Sequence, residues 1–168
     1  MKNIILAFAF ALSIVISPLA VAQKKGKEKQ KEEVNVLEVV QAKAKKEKKK
    51  VMILFSGLEW CGPCKKFDKE VMKDRNFKAY AKKNLVVLEL DLKRNKNVEI
   101  KVDGKKDAKI SKLKADKIKE VREELSKKFK VKGVPTAIII DETATALITH
   151  TGSGISGKEF VEKIKIKK

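Results

Sequence analysis

The chain has 168 residues, the length of one ordinary domain, and 41 Lys+Arg against 22 Asp+Glu give it a formal net charge of +19. With two cysteines and one histidine, a monomer cannot supply the roughly four soft ligands of a closed zinc site. The basic surplus would attract anionic lipid, polysaccharide or nucleic acid. However, the lysines are spread over every segment and Arg is rare. A single Tyr leaves little for base stacking, so no specific nucleic-acid binding is expected.

Residues 1–22 read as a signal peptide. Lys2 gives the basic start, Ile4 to Ile16 the apolar stretch, Pro18 its break, and Ala20-Val21-Ala22 the small-residue cleavage site, with Gln23 as the mature start. The stretch is shorter than the ~20 residues a spanning helix needs. No stable membrane insertion is therefore expected after cleavage, an uncleaved anchor being the alternative. No cysteine lies near the cleavage site to carry a lipid. Residues 23–33 form a Lys/Glu-rich tract with nothing to bury, which predicts a disordered spacer. The folded domain is expected over 34–168.

Val34, Leu37, Val40 and Ala44 recur at helical spacing and predict a short amphipathic helix, with Lys45 to Lys50 at its solvated end. Val51 to Phe55 is a continuous apolar run, the pattern of a buried strand. Ser56-Gly57-Leu58-Glu59 breaks it, and from Cys64 the apolar side chains Phe67 and Val71 mark a helix over about 62–73. Both cysteines thus fall at a strand-to-helix turn, as Trp60-Cys61-Gly62-Pro63-Cys64. Unpaired backbone N–H groups and the helix dipole favour an anion there. In such C-x-x-C settings the first thiol drops from a pKa of about 8.5 to about 7 or lower, and the thiolate is the nucleophile. The pattern points to a dithiol/disulfide redox centre. Half a zinc site, a structural disulfide and a chance pair are the competing readings; a bridge closing so small a loop removes little unfolded-chain entropy.

Further along, Asn76 to Ala81 reads as helix and Leu85 to Leu92 as a central strand covered on both faces, giving a βαβ unit. Residues 93–117 read as a basic surface insertion. From Lys93 to Lys119 there are eleven Lys or Arg against Glu99, Asp103, Asp107 and Asp116. Val98 to Val102 alternates and is expected to form a small hairpin with the residues after the Asp103-Gly104 turn. Ile118, Val121, Leu125 and Phe129 mark the next helix. Thr136 to Ile140 and Ala144 to Thr149 read as two antiparallel strands. Ser156 and Glu159 form a capping box that opens a last helix with Phe160, Val161 and Ile164 inward.

Trp60-Cys61-Gly62-Pro63-Cys64 matches the active-site motif of thioredoxin, and Gly133-Val134-Pro135-Thr136 resembles the loop where that family places a cis-proline beside the cysteines. Leu54 to Cys61 followed by Lys65 to Val71 is similar to exported bacterial thioredoxin-like proteins, and to the C-terminal domain of the periplasmic thiol-disulfide interchange reductase. The likeness covers roughly Val51 to Ile166. It implies an α/β thioredoxin fold, a mixed sheet flanked by helices, here with an extra N-terminal helix and the basic insertion. It also implies protein disulfides as substrates and a periplasmic or secreted location.

In that mechanism Cys61 attacks the substrate disulfide and Cys64 resolves the mixed disulfide, leaving Cys61–Cys64 oxidised. Trp60 is expected to shield the site and offer an apolar face, a buried core tryptophan being the alternative. Gly62 and Pro63 shape the loop, and Pro63 lacks an N–H. A cis Val134–Pro135 bond would leave a backbone edge open for an extended substrate. The Gly-Pro pair resembles reducing thioredoxins, which favours a reductase over a disulfide oxidase or isomerase. No cofactor or metal is implied. A membrane thiol-disulfide carrier is the expected electron donor, and the protein is expected to act as a monomer. A non-enzymatic basic adaptor is the second class of function.

Thioredoxin has a buried acid on the strand before the motif; the matching place here is apolar, Leu54-Phe55. The nearest acid, Glu59, is expected to face solvent and to assist proton transfer without being essential. His150 is expected to be solvated rather than catalytic.

Overall fold

The computed structural model describes residues 34–165. The signal peptide and spacer expected over 1–33 lie outside the described residues.

Helix α1 (Val36–Glu47) starts where Asn35 caps it, its side chain accepting from the N–H groups of Leu37 at 3.1 Å and Glu38 at 3.3 Å. It buries Leu37, Val40 and Ala44 of the predicted stripe together with Val36, whereas Val34 precedes the helix and is half-buried; it ends at Lys48 in the left-handed region (φ 54°). β1 (Lys50–Ser56) is buried from Val51 onward, as a strand covered on both faces must be. It lies at the centre of a five-stranded sheet whose order is β3 (Val98–Val102), β2 (Leu85–Leu92), β1, β4 (Thr136–Ile140), β5 (Ala146–Thr151). β2 runs parallel to it, with Ser56 opposite Asp91, while β4 runs antiparallel.

The sheet divides the core in two. Val51, Ile53, Phe55, Leu88 and Leu90 face α1 and α4 (Ala115–Lys128), meeting Val40, Val121 and Leu125. Met52, Leu54, Val87 and Ile139 face the other way, meeting Phe67, Val71, Phe77, Phe160 and Ile164. Each such fully buried side chain contributes roughly 1.5–3 kcal/mol of transfer free energy. The second layer is built by α2 (Gly62–Phe67), α3 (Arg75–Asn84) and α5 (Gly157–Ile164). The helix expected over 62–73 continues past α2 as a π-helical turn, Asp68–Met72, which keeps Val71 fully buried. Asp74 then caps α3. The capping box at Ser156 and Glu159 is present, and Phe160, Val161 and Ile164 point inward.

Two sequence expectations change. Val98 to Val102 does not form a hairpin with the residues after Asp103-Gly104. It is β3, which pairs antiparallel with the preceding β2 and puts Val98, Ile100 and Val102 into the core. On its C-terminal side there is a single bridge, Val102 to Lys105, before a short 3₁₀ turn (Ile110–Lys112) anchored by buried Ile110. The basic segment therefore starts as a sheet edge and becomes a surface excursion only afterwards. The last strand, β5 (Ala146–Thr151), is antiparallel to β4 as expected. It begins two residues later than the pattern indicated, because Ala144 takes a left-handed turn conformation (φ 60°).

Candidate active site

The motif lies at the C-terminal end of β1, and the end of β2 builds its seat. Asp91 is 5% exposed. Its Oδ1 accepts from Ser56 Oγ at 3.0 Å and from the Leu58 N–H at 2.7 Å, and its Oδ2 lies 2.7 Å from Lys93 Nζ. The next residue, Leu92, offers its carbonyl oxygen to the Trp60 indole N–H at 2.7 Å. Lys93 Nζ also meets Glu99 at 3.0 Å and Glu59 at 3.7 Å. The Arg94 N–H donates to Glu59 Oε2 at 3.0 Å, and its guanidinium donates to the Glu59 carbonyl at 3.4 Å. The turn closes on itself through Gly57, whose carbonyl accepts from the N–H groups of Trp60 and Cys61. Gly57 has to be glycine, because a Cβ there would strike the Trp60 indole.

The charges of this seat hold one another. Burial pushes the Asp91 carboxyl up, but hydrogen bonds from Lys93, the Leu58 N–H and Ser56 outweigh it and leave it below the usual carboxylate range. Lys93 is driven well above the ordinary lysine range, chiefly by its hydrogen bond to Asp91. On the same strand Glu89 behaves oppositely: burial raises its carboxyl, with Lys101 offsetting part of the shift.

Cys61 and Cys64 form a disulfide, with their Cα atoms 5.2 Å apart. Cys61 is the N-cap of α2, and its sulfur accepts from the Cys64 N–H at 3.1 Å. Gly62 and Pro63 fill the first turn, where the missing proline N–H has no partner to lose. Cys61 is 6% exposed and Cys64 1%, so the first cysteine is the more accessible of the pair. Cys61 Sγ lies 3.7 Å from the carbonyl oxygen of Val134, and the Val134–Pro135 peptide is cis. The two motifs, 73 residues apart, thus meet at Cys61. Trp60 is 45% exposed, which removes the buried-core alternative.

Glu59 is exposed as expected but not free, being held by Lys93 and Arg94. His150 corrects the solvated reading. Its ring stacks on Phe67 of the active-site helix and packs edge-on against Phe160, with centroids 5.9 and 5.4 Å apart, and Nδ1 lies 3.1 Å from Lys163 Nζ. Burial, reinforced by Lys163, pushes its pKa down. Asp91 is the residue of the site that sequence reasoning missed. Its signal is the acid at the end of an apolar strand, legible as functional only once Ser56 is known to lie opposite. Among the described residues no group of three or more His, Cys, Asp or Glu side chains converges as a metal site. Among them, too, no helix is long and apolar enough to cross a membrane.

The profile of the thioredoxin-like domain family matches residues 37–166. The chain belongs to the thioredoxin-like family. Among solved structures, this thioredoxin-like domain is similar to the oxidoreductase DsbH, at 21% identity over 79% of this chain and 81% of that one, with a TM-score of 0.61. Weaker likenesses include a thioredoxin from Thermus thermophilus (18% identity, 74% and 78% covered, TM-score 0.48). Another is the oxidised C-terminal domain of Neisseria meningitidis DsbD (13% identity, 75% and 87% covered, TM-score 0.47). At these identities the likeness concerns the fold. Comparison with the curated proteins finds no match.

Proposed function

We propose that this chain is an exported thiol-disulfide oxidoreductase that reduces protein disulfides through Cys61 and Cys64. The observation that carries the reading is the Cys61–Cys64 disulfide at the start of α2, with Cys61 beside the Val134 carbonyl. In the reduced form the Cys61 thiolate attacks one sulfur of the substrate disulfide, and the departing sulfur takes up a proton. The Cys64 thiolate then attacks Cys61 Sγ and displaces the second substrate sulfur. Two electrons pass to the substrate, and the chain returns to its disulfide form. Trp60 covers the approach, Gly62 and Pro63 hold the turn, and the backbone at Val134 and Pro135 offers a polar edge to an extended substrate. Glu59, tied to Lys93 and Arg94, is available for proton transfer without being essential.

Export rests on the signal pattern of residues 1–22, and sequencing the N-terminus of the secreted protein would locate Gln23 as its start. An exported dithiol has no access to NADPH, so a membrane thiol-disulfide carrier serves as donor in this reading. The direction is tested by equilibrating the protein from Gln23 onward with glutathione or dithiothreitol mixtures. A potential near about −270 mV supports a reductase, and one near about −120 mV supports an oxidase or isomerase instead. Absence of a reversible couple would refute the enzyme reading.

One observation favours the adaptor alternative. A groove of about 710 Å³ between α3 and residues 102–107 has an apolar floor of Phe77, Leu85 and Val87, with Lys78, Lys82 and Lys105 around it, away from the cysteines. The variant carrying Cys61→Ser and Cys64→Ser separates the two, since an adaptor keeps its function and a reductase loses it.

A further inference from the structure

We propose that the surface around Cys61 selects disulfides flanked by acidic side chains; this rests on the exchange reading above. Lys65 and Lys66 fall in the turn of α2 that follows Cys64, and Lys132 lies two residues before Val134, whose carbonyl is 3.7 Å from Cys61 Sγ. All three are exposed, and among the described residues none has an ion-pair partner. The acids of the same stretch do not balance Lys65 and Lys132. Glu59 is engaged by Lys93 and the Arg94 N–H, and Asp68 by Lys73 at 2.6 Å. Glu70 stands one helical turn from Lys66 and lines a shallow groove with it, together with Asp74 and Glu159, so Lys66 is offset. Next to Cys61 in the chain stands Trp60, at 45% the most exposed large apolar side chain among the described residues, fixed by its indole bond to Leu92. An apolar plate adjacent to the nucleophile, with unpaired ammonium groups on Lys65 and Lys132 close in the chain to Cys64 and Val134, matches a substrate segment with an apolar residue next to its cystine and carboxylates close by. Charge complementarity of this kind acts on the encounter rate and on the register of docking, more than on the chemistry of sulfur.

The chain is basic throughout, so the test has to separate local from global charge. The reduced protein, freed of reductant, is mixed in single-turnover experiments with three cystine peptides that differ only in Glu, Gln or Lys flanks. Mixtures are quenched by alkylation and the alkylated peptide is counted apart from the protein, because exchange leaves the total number of thiols unchanged. In each exchange the peptide disulfide is reduced to two thiols and the protein dithiol is oxidised to Cys61–Cys64. Two double variants are run alongside: Lys65→Gln with Lys132→Gln, and Lys45→Gln with Lys83→Gln. The second set lies by the opposite, N-terminal ends of β1 and β2, and its net charge is the same as that of the first. The ratio of Glu-peptide to Lys-peptide rates, compared between proteins, cancels the peptides' own reactivity.

The unmodified protein should favour the Glu peptide by about tenfold at low salt. That preference should collapse in the first variant, persist in the second, and fade at about 1 M salt, where the screening length is only about 3 Å. Equal rates for the three peptides, or equal loss of preference in both variants, would overturn the proposal while leaving exchange intact. Absence of exchange with every peptide would refute the proposed function itself.

Discussion

Replacing Asp91 by alanine removes the carboxylate on which the redox turn rests. Three partners lose their acceptor: Ser56 Oγ at 3.0 Å, the Leu58 N–H at 2.7 Å and Lys93 Nζ at 2.7 Å. Hydrogen bonds to a charged group are worth about 1.5–3 kcal/mol each, and a buried N–H left unpaired costs about 1–3 kcal/mol. Against this, alanine no longer bears the desolvation penalty of a buried charge, and Lys93 keeps Glu99. The balance comes to about 3 kcal/mol, a sizeable part of a typical domain's stability. The urea midpoint of the oxidised protein should fall by roughly 1–2 M. Trp60, the single tryptophan, reports on the same turn through its bond to Leu92, so its emission should move toward that of a solvated indole in the folded variant. The folded-state pKa of Asp91 lies below its unfolded value, so its contribution is present above the ordinary carboxylate range. It is lost as pH falls through the folded value; the two proteins should therefore converge in stability in acid, below about pH 4. A loss under about 1 kcal/mol at pH 7, with unchanged Trp60 emission, would refute the view that Asp91 holds the turn.

Other substitutions probe separate links. A Cβ on Gly157 would run into the Asp74 side chain that caps α3, so Gly157→Ala should cost about 1–3 kcal/mol in urea unfolding; a neutral result would mean that the caps yield easily. His150 has a depressed folded pKa, which favours the neutral ring. Its contribution is thus complete above the unfolded value near 6.5 and declines as pH falls below it. The stability of the unmodified protein should drop between pH 7 and 5 relative to His150→Phe, and parallel pH profiles would exclude His150 as the cause. Glu89 has the opposite sign, its folded pKa being raised by burial. Glu89→Gln should therefore raise the urea midpoint at pH 7 and lose that advantage in acid, where the native carboxyl is protonated in both states; a lower midpoint at pH 7 would show that Lys101 outweighs burial.

Much of the frame is written locally. Val51 to Phe55 reads as a buried strand, which β1 is, and Ser156 with Glu159 announces its helix through a capping box that depends on a few adjacent residues. The motif of Trp60 to Cys64 locates itself for the same reason. What escapes is whatever depends on lateral pairing. Val98 to Val102 alternates convincingly, but alternation does not say which neighbour a strand will choose, and it chose β2. Where a buried acid would sit, β1 itself offers only Leu54 and Phe55. The register that places Asp91 against Ser56 and Glu89 against Leu54 cannot be read from either strand alone. His150 misled for a similar reason: its aromatic neighbours, Phe67 and Phe160, come from two helices distant in sequence.

The stretch from Asp91 to Arg94 holds the redox turn with successive residues: side chain, carbonyl, side chain, then backbone N–H and guanidinium. Such a run behaves like the teeth of a key, in which spacing matters as much as identity. One residue inserted or deleted within it would present each group to the wrong partner, whatever the composition. Residues 104–109 are different: among the described residues they make no hydrogen bond or ion pair to that turn. There length is cheap, since loop-closure entropy grows only slowly with the number of residues. For anyone recombining this domain with its relatives, the safe splice points lie in that excursion. The four positions before Asn95 have to travel together with the segment Gly57 to Cys61.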